Sequence, residues 1–205
     1  MPLIKARHSG PEEDLAPVIT RPGDADALLA APTASERRAA VRRLEDSVEG
    51  QAALCRRLPD ETAASVREAI LAALIRHRSP AIAAALLPLL RSEDPALRNA
   101  AIEGLAEMPD EVAPHIEALL ADPDSDVRIF AANLLGVLPH VRAGEWLLAA
   151  LSDDHVNVCG AAIDGLAEIG GPDAADALDA VPGRFPGHRF IAFAAGVAAR
   201  RIRGC

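Results

Sequence analysis

His155 and Cys159 stand four residues apart near a predicted helix start, with Asp153 and Asp154 beside them, a spacing that sets two metal ligands on one helix face. A structural zinc site needs about four convergent ligands, and nothing in the sequence completes this set. His77, His115, His140 and His188 are scattered over different helices and turns, so no metal site is expected. Ser35, Ser65, Ser79, Ser92 and Ser125 fall in turns or near helix starts, as capping residues do, and none has a base and an orienting group in view. Glycines such as Gly165 and Gly170 lie at helix ends and not after a strand, so no phosphate-cradling loop is expected either. The expectation is a protein with no catalytic constellation and no cofactor.

The elements that carry these residues form an internal repeat. SVREAILAALI (65–75), ALRNAAIEGLAEM (96–108), DVRIFAANLLGVL (126–138) and NVCGAAIDGLAEI (157–169) align without gaps, with Val66, Leu97, Val127 and Val158 in one column at spacings of 31, 30 and 31. Eight residues on, the column holds Leu74, Leu105, Leu135 and Leu166, with alanines between. Apolar positions at 0, +3/+4, +7/+8 and +11 form the buried stripe of an amphipathic helix. Shorter helices at 82–90, 111–120, 143–151 and 173–181 alternate with these, so each repeat is a helical hairpin. Ser79-Pro80, Asp94-Pro95 and Asp122-Pro123 place a capping side chain before a proline that fits the first turn.

Residues 24–46 read as a degenerate first repeat and 47–58 as the short helix of the second, which gives about six hairpins over 23–204. Residues 1–22, with Pro2, Pro11, Pro17 and Pro22, read as an irregular arm. The last long helix, 188–203, keeps the stripe (Phe190, Phe193/Ala194, Val197/Ala198) but is richer in aromatics on one face and in arginine at its end, as a capping repeat would be.

Arg67, Arg98 and Arg128 each follow acids in the preceding turn (Asp60/Glu61, Asp94, Asp124/Asp126), and salt bridges pinning those turns are expected; the fourth repeat has Cys159 in their place. Positions +2, +6 and +10 of each long helix point away from the stripe. They read Glu68 and Ala72; Asn99, Glu103 and Glu107; Ile129, Asn133 and Val137; Gly160, Asp164 and Glu168. The result is an acidic face with an apolar break, either a solvated surface or a site for a basic or amphipathic partner. Trp146, the single tryptophan, is either wedged between hairpins or exposed as a secondary anchor.

The segments LLPLLRSEDPALRNAAIEGLAEM and IEALLADPDSDVRIFAANLLGVL resemble HEAT repeats of the phycobilisome-lyase-like bacterial type: a short helix ending in Leu-Leu, an Asp/Pro turn, then Val-Arg and an Ala-Ala-x-x-Leu helix. The resemblance is strong over 60–171 and weaker on either side. It implies an all-α, right-handed α-solenoid whose long helices line a concave face. It also implies a function drawn from scaffolds, assembly factors, phycobilin lyase subunits and a few enzymes. Two enzymatic branches lack their marks here. The His-Glu dipeptides of di-iron deoxyhypusine hydroxylases are absent, and the basic, aromatic surface of HEAT-type DNA glycosylases is replaced by acids.

Composition agrees with an alanine-rich helical chain: 44 alanines and no tyrosine among 205 residues. The net charge of −9 hides a division, with 2 basic against 16 acidic residues in 101–181 and five arginines without an acid in 182–205. Such a charge distribution disfavours duplex nucleic acid. No run approaches membrane-spanning length and no signal-peptide stretch is visible, so a cytoplasmic protein with reduced Cys55, Cys159 and Cys205 is expected. The function these features favour is a non-catalytic interaction scaffold or assembly factor. Its partner site would comprise Glu103, Glu107, Ile129, Asn133, Asp164 and Glu168, binding a basic or amphipathic protein segment and neither nucleic acid nor membrane. The alternative, implied by the resemblance, is a phycobilin-lyase-like or cofactor-maturation subunit that holds a chromophore. It would draw on Phe185, Phe190, Phe193 and the terminal arginines.

Overall fold

A computed structural model of the chain describes residues 23–204; the predicted arm at 1–22 and Cys205 lie outside the described residues. Within them the chain is an all-α solenoid of six stacked hairpins. They pair α1 (Asp24–Leu29) with α2 (Ala34–Leu44), α3 (Val48–Arg57) with α4 (Ala64–His77), and α5 (Pro80–Leu86) with α6 (Pro95–Ala106). The fourth hairpin joins α7 (Pro109–Val112) and α8 (Ile116–Leu120) to α9 (Ser125–Val137). The last two pair α10 (Ala143–Ala150) with α11 (Val156–Ile169) and α12 (Pro172–Arg184) with α13 (Arg189–Arg203).

Two of the short helices are broken where the sequence reading expected continuous ones. Pro88 and Pro114 have no backbone N–H and clash with the carbonyl one turn back, so the α-helix gives way to 3₁₀ turns at Leu87–Arg91 and Ala113–His115. One predicted cap also shifts. Asp124, not Asp122, caps α9 by accepting from the Asp126 amide, and Asp122 instead accepts from the Asp124 amide. Ser79 and Asp94 do cap α5 and α6.

One apolar core runs the length of the stack, from Ala25 to Ala199. Small side chains let neighbouring helices approach closely. At the α9–α11 crossing, a Cβ on Gly136 would stand 3.1 Å from the Gly165 Cα, and one on Gly165 would stand 2.9 Å from the Leu147 methyls. The two backbones touch, and alanine at Gly136 has no room unless a helix moves.

The arginines do not pin their own preceding turns through the acids there. Those acids are occupied with backbone amides: Asp94 accepts from Ala96 and Leu97, and Asp124 from Asp126. The guanidinium groups reach forward to the next hairpin instead. Arg37 grips Glu61 with two bonds of 2.9 Å, Arg67 meets Asp94 at 2.8 Å, and Arg128 grips Asp153 at 2.7 and 3.1 Å. Several also reach back six residues to a carbonyl ending their own short helix: Arg37 to Ala31, Arg98 to Ser92 and Arg128 to Asp122. Arg98 breaks the forward series by lying 4.3 Å from the Phe130 ring centre, and Arg91 takes over the contact to Asp122.

Glu61 is the buried charged residue of this ladder. It accepts from Arg37, from Arg57 at 3.0 and 3.2 Å, and from the Ala63 amide at 2.8 Å, where α4 has no side-chain cap. Burial by itself would raise its pKa, but the Arg37, Ala63 and Arg57 hydrogen bonds outweigh it and hold the group at about 2. A carboxylate held below its unfolded value near 4.3 stabilises the fold by about 3 kcal/mol above that pH, and this contribution drains away as pH falls towards 2. Urea unfolding of Glu61→Gln is therefore expected to show a loss of about 3 kcal/mol at neutral pH. That gap from wild type should close near pH 2; a pH-independent difference would assign the effect to packing.

Candidate functional site

The long helices α9, α11 and α13 lie side by side, and their +2, +6 and +10 positions form one surface. The Gly136–Gly165 contact draws α9 and α11 together so that Asn133, Asp164 and Glu168 line a narrow groove of about 170 Å³. Towards the helix starts the groove widens to about 510 Å³, where Ile129, Asn133 and Asp164 meet His188 and Phe190 of the last hairpin. Glu103 sits apart, in a hollow of about 430 Å³ with Glu68 and Asn99 between α4 and α6.

The charges on this surface are unequal in kind. Glu107 is paired with Arg78 at 3.4 Å and Glu168 with Arg201 at 2.6 and 2.8 Å, so two predicted acids already have cations of the same chain. Asp164 has no hydrogen-bond or ionic partner among the described residues, and burial against its apolar neighbours pushes its pKa up. Glu103 and Glu68 are exposed and likewise without a partner among the described residues. Sequence reading had joined these acids into one stripe. The structure divides them into a neutralised edge, one lone carboxylate in an apolar setting, and a separate acidic hollow.

That apolar setting is larger than Ile129 alone. Val137 is 61% exposed, Phe190 78%, Phe193 67% and Val197 41%. Phe190, Phe193 and Val197, expected in the buried stripe of the last helix, face solvent instead, and Ile191, Ala195, Ala198 and Ala199 are the buried positions. The signal was present in the register: counted from Ile191, Phe193, Val197 and Arg201 fall at +2, +6 and +10 and continue the columns of the earlier repeats.

The other candidates resolve into structural roles. Cys159 is fully buried in the core, where desolvation raises its thiol pKa, and it does not join His155 in a ligand set. Among the described residues no three His, Cys, Asp or Glu side chains converge on a metal-sized site. Trp146 is 4% exposed, stacked on His140 at 4.9 Å and covered by Arg142 at 4.7 Å, so it is wedged between hairpins and not displayed as an anchor. It floors a cleft of about 330 Å³ beside Glu117 and Leu120.

The gap left in the ladder by Cys159 is filled from elsewhere. Arg184, at the end of α12, donates to the carbonyls of Leu151, Ser152 and Asp153, the service that a repeat arginine performs at +1 in other hairpins. Its ring contact with Phe185, 5.2 Å to the centroid, helps to hold the guanidinium in place. Replacing Arg184 by alanine is expected to lower stability by about 1–2 kcal/mol, read as an earlier urea midpoint; an unchanged midpoint would mean that water satisfies those carbonyls equally well.

Comparison with known proteins bears on the fold. A family model described as HEAT repeats matches residues 52–116 and 112–181. No curated protein matches the sequence significantly. Among solved structures, two engineered proteins are similar at 19% and 18% identity, each with a TM-score of 0.40, covering 89% and 90% of this chain and 96% and 99% of theirs. The complex of CpcE and CpcF of phycocyanin lyase from Nostoc sp. PCC7120 is similar at 18% identity with a TM-score of 0.34, covering 99% of both chains. No helix among the described residues is long and apolar enough to cross a membrane.

Proposed function

The chain belongs to the HEAT-repeat family, and from that premise we propose that it is a non-catalytic interaction scaffold or assembly factor. Its long-helix face takes an amphipathic, basic segment of another protein. The observation that carries this reading is the unpartnered Asp164 carboxylate set among Ile129, Phe190 and the other exposed apolar side chains of α9 and α13. An apolar surface of this kind gains by burial, and a lone carboxylate within it gains most from a ligand that brings a cation, which adds ion pairing to the hydrogen bond. Glu103 and Glu68 extend the cation-binding character towards the N-terminal repeats. Asn133, on both parts of the α9–α11 groove, supplies neutral hydrogen bonds to a bound backbone. Glu107 and Glu168 act at the margin, because a ligand must compete with Arg78 and Arg201 for them.

The test is capture from native lysate with the tagged full chain, comparing wild type with Glu103→Arg/Asp164→Arg and with Ile129→Asp. Proteins retained by wild type and lost from both variants, with helicity by circular dichroism unchanged, are the expected result. A retained set indifferent to both changes would overturn the assignment. Colour in protein purified from its own host, with no protein retained, would favour the chromophore-holding alternative. Because desolvation raises the Asp164 pKa above that of an ordinary aspartate, retention should show an early phase of weakening on acidification, at higher pH than an ordinary aspartate would set. Asp164→Asn should abolish that early phase.

A further inference from the structure

Helix α2 belongs to the same face, and its polar contacts fix the register that its degenerate sequence leaves open. Arg37 donates six residues back to the Ala31 carbonyl, as Arg98 and Arg128 do to Ser92 and Asp122, and it reaches forward to Glu61 as Arg128 does to Asp153. Arg37 therefore holds the +1 position and Leu44 the leucine column, which sets Arg38 and Arg42 at +2 and +6. Both are exposed and have no partner among the described residues. The +10 column is occupied by pairs between neighbouring helices: Asp46 lies 3.7 Å from His77, Arg76 pairs with Glu45, Glu107 with Arg78 and Glu168 with Arg201. The open charges thus stand at +2 and +6, and they are sorted. In chain order these columns hold the two arginines on α2, Glu68 on α4, Asn99 and Glu103 on α6, then Ile129 and Asn133 on α9. Helices α2 and α4 are packed neighbours, yet among the described residues no ion pair joins Arg38 or Arg42 to Glu68. The acids nearest in sequence, Glu36 and Glu45, are taken by Thr33 and Arg76.

We propose that the protein segment received on the long-helix face is extended and charge-ordered, with acidic residues against Arg38 and Arg42, basic residues against Glu68 and Glu103, and apolar residues against Ile129. Packed helices stand about 8–10 Å apart and an extended chain advances about 3.3 Å per residue, so the basic positions follow the acidic ones by about three and six residues and the apolar ones by about nine. Asn99 and Asn133 stand among the charged and apolar positions and offer donors and acceptors to a backbone that has no sheet partner. A segment with acidic and basic parts exchanged would set like charges together at α2 and again at α4 and α6, so the face selects by the order of charges and not by their sum. This rests on reading the long-helix face as a docking site for a protein segment, and it adds an acidic end to a ligand so far defined by its basic and apolar parts.

Fluorescence anisotropy of the full chain at low salt, with labelled peptides of about 12 residues, tests the order. One peptide carries two glutamates, lysines about three and six residues on, and two leucines at about nine. A second has the same composition with glutamates and lysines exchanged, and each is made in both chain directions because the columns fix order and not polarity. The first should bind about tenfold more tightly or better in one of its directions. Arg38→Glu/Arg42→Glu, with helicity unchanged because both side chains are in solvent, should lower that affinity about tenfold. A peptide with two lysines in place of the two glutamates should then bind the variant within about threefold of the wild-type value. Equal affinity of the two orders, indifference to the α2 variant, no binding of either peptide at about 1 mM, or tighter binding of a single-stranded oligonucleotide through the same arginines overturns the proposal. If lysate proteins are still lost on Ile129→Asp while the peptides bind without regard to order, the charge order fails and the scaffold function stands.

Discussion

The solenoid depends on satisfying, without bulk water, the polar groups that each hairpin turn buries against the next. A short helix ends at every turn and leaves carbonyls with no partner in their own helix. The following helix begins there and leaves amides. Acids such as Asp94 and Asp124 take the amides, and arginines such as Arg98 and Arg128 take the carbonyls. Because Arg37, Arg67 and Arg128 also reach the acid of the next turn, each repeat completes the hydrogen bonding of its neighbour. Stability then accrues by adjacency, as nearest-neighbour models of repeat proteins require. Register is fixed too: a hairpin displaced by one helical turn would take Arg128 from Asp153 and leave the buried Glu61 with Arg57 alone.

Packing makes the long-helix surface a by-product of the core. Alanine and glycine on the facing sides bring α9 and α11 into backbone contact, so side chains just outside that contact have no room to turn inward. Asn133 and Asp164 are held at a groove edge for this reason, and Asp164 finds itself among apolar groups with no arginine in reach. The same face carries Phe193 and Val197 one helix further on. Ion pairs at Glu107 and Glu168 remove charge from the +10 column, which concentrates the unpaired character of the surface at +2 and +6.

Repeat spacing, hairpin number and the buried stripe were legible in the sequence because they follow from periodicity, which one chain displays several times over. Local breaks at Pro88 and Pro114 were less so, since a proline after a first turn can either start a helix or interrupt one. Ion-pair partners were not legible. Arg67 has acids near it in sequence on both sides, and only the stacking of hairpins decides that Asp94 receives it. Phe190 and Phe193 were misread for a related reason: aromatic content suggested a buried end, whereas column position, which the structure respects, put them outside. Of the predicted site, Ile129, Asn133 and Asp164 share one groove, while Glu103 lies elsewhere and Glu107 and Glu168 carry intrachain partners.

Arg184 changes what counts as a unit of this molecule. In a perfectly periodic solenoid any hairpin can be excised or duplicated, because each brings the donors that its own turn requires. Here the fifth hairpin carries a buried Cys159 at the arginine position, and Arg184 of the sixth supplies its turn. The last two hairpins are therefore joined by their polar contacts as well as by their core. Shortening the chain at α12 would strip the α10–α11 turn of donors that its own hairpin does not carry.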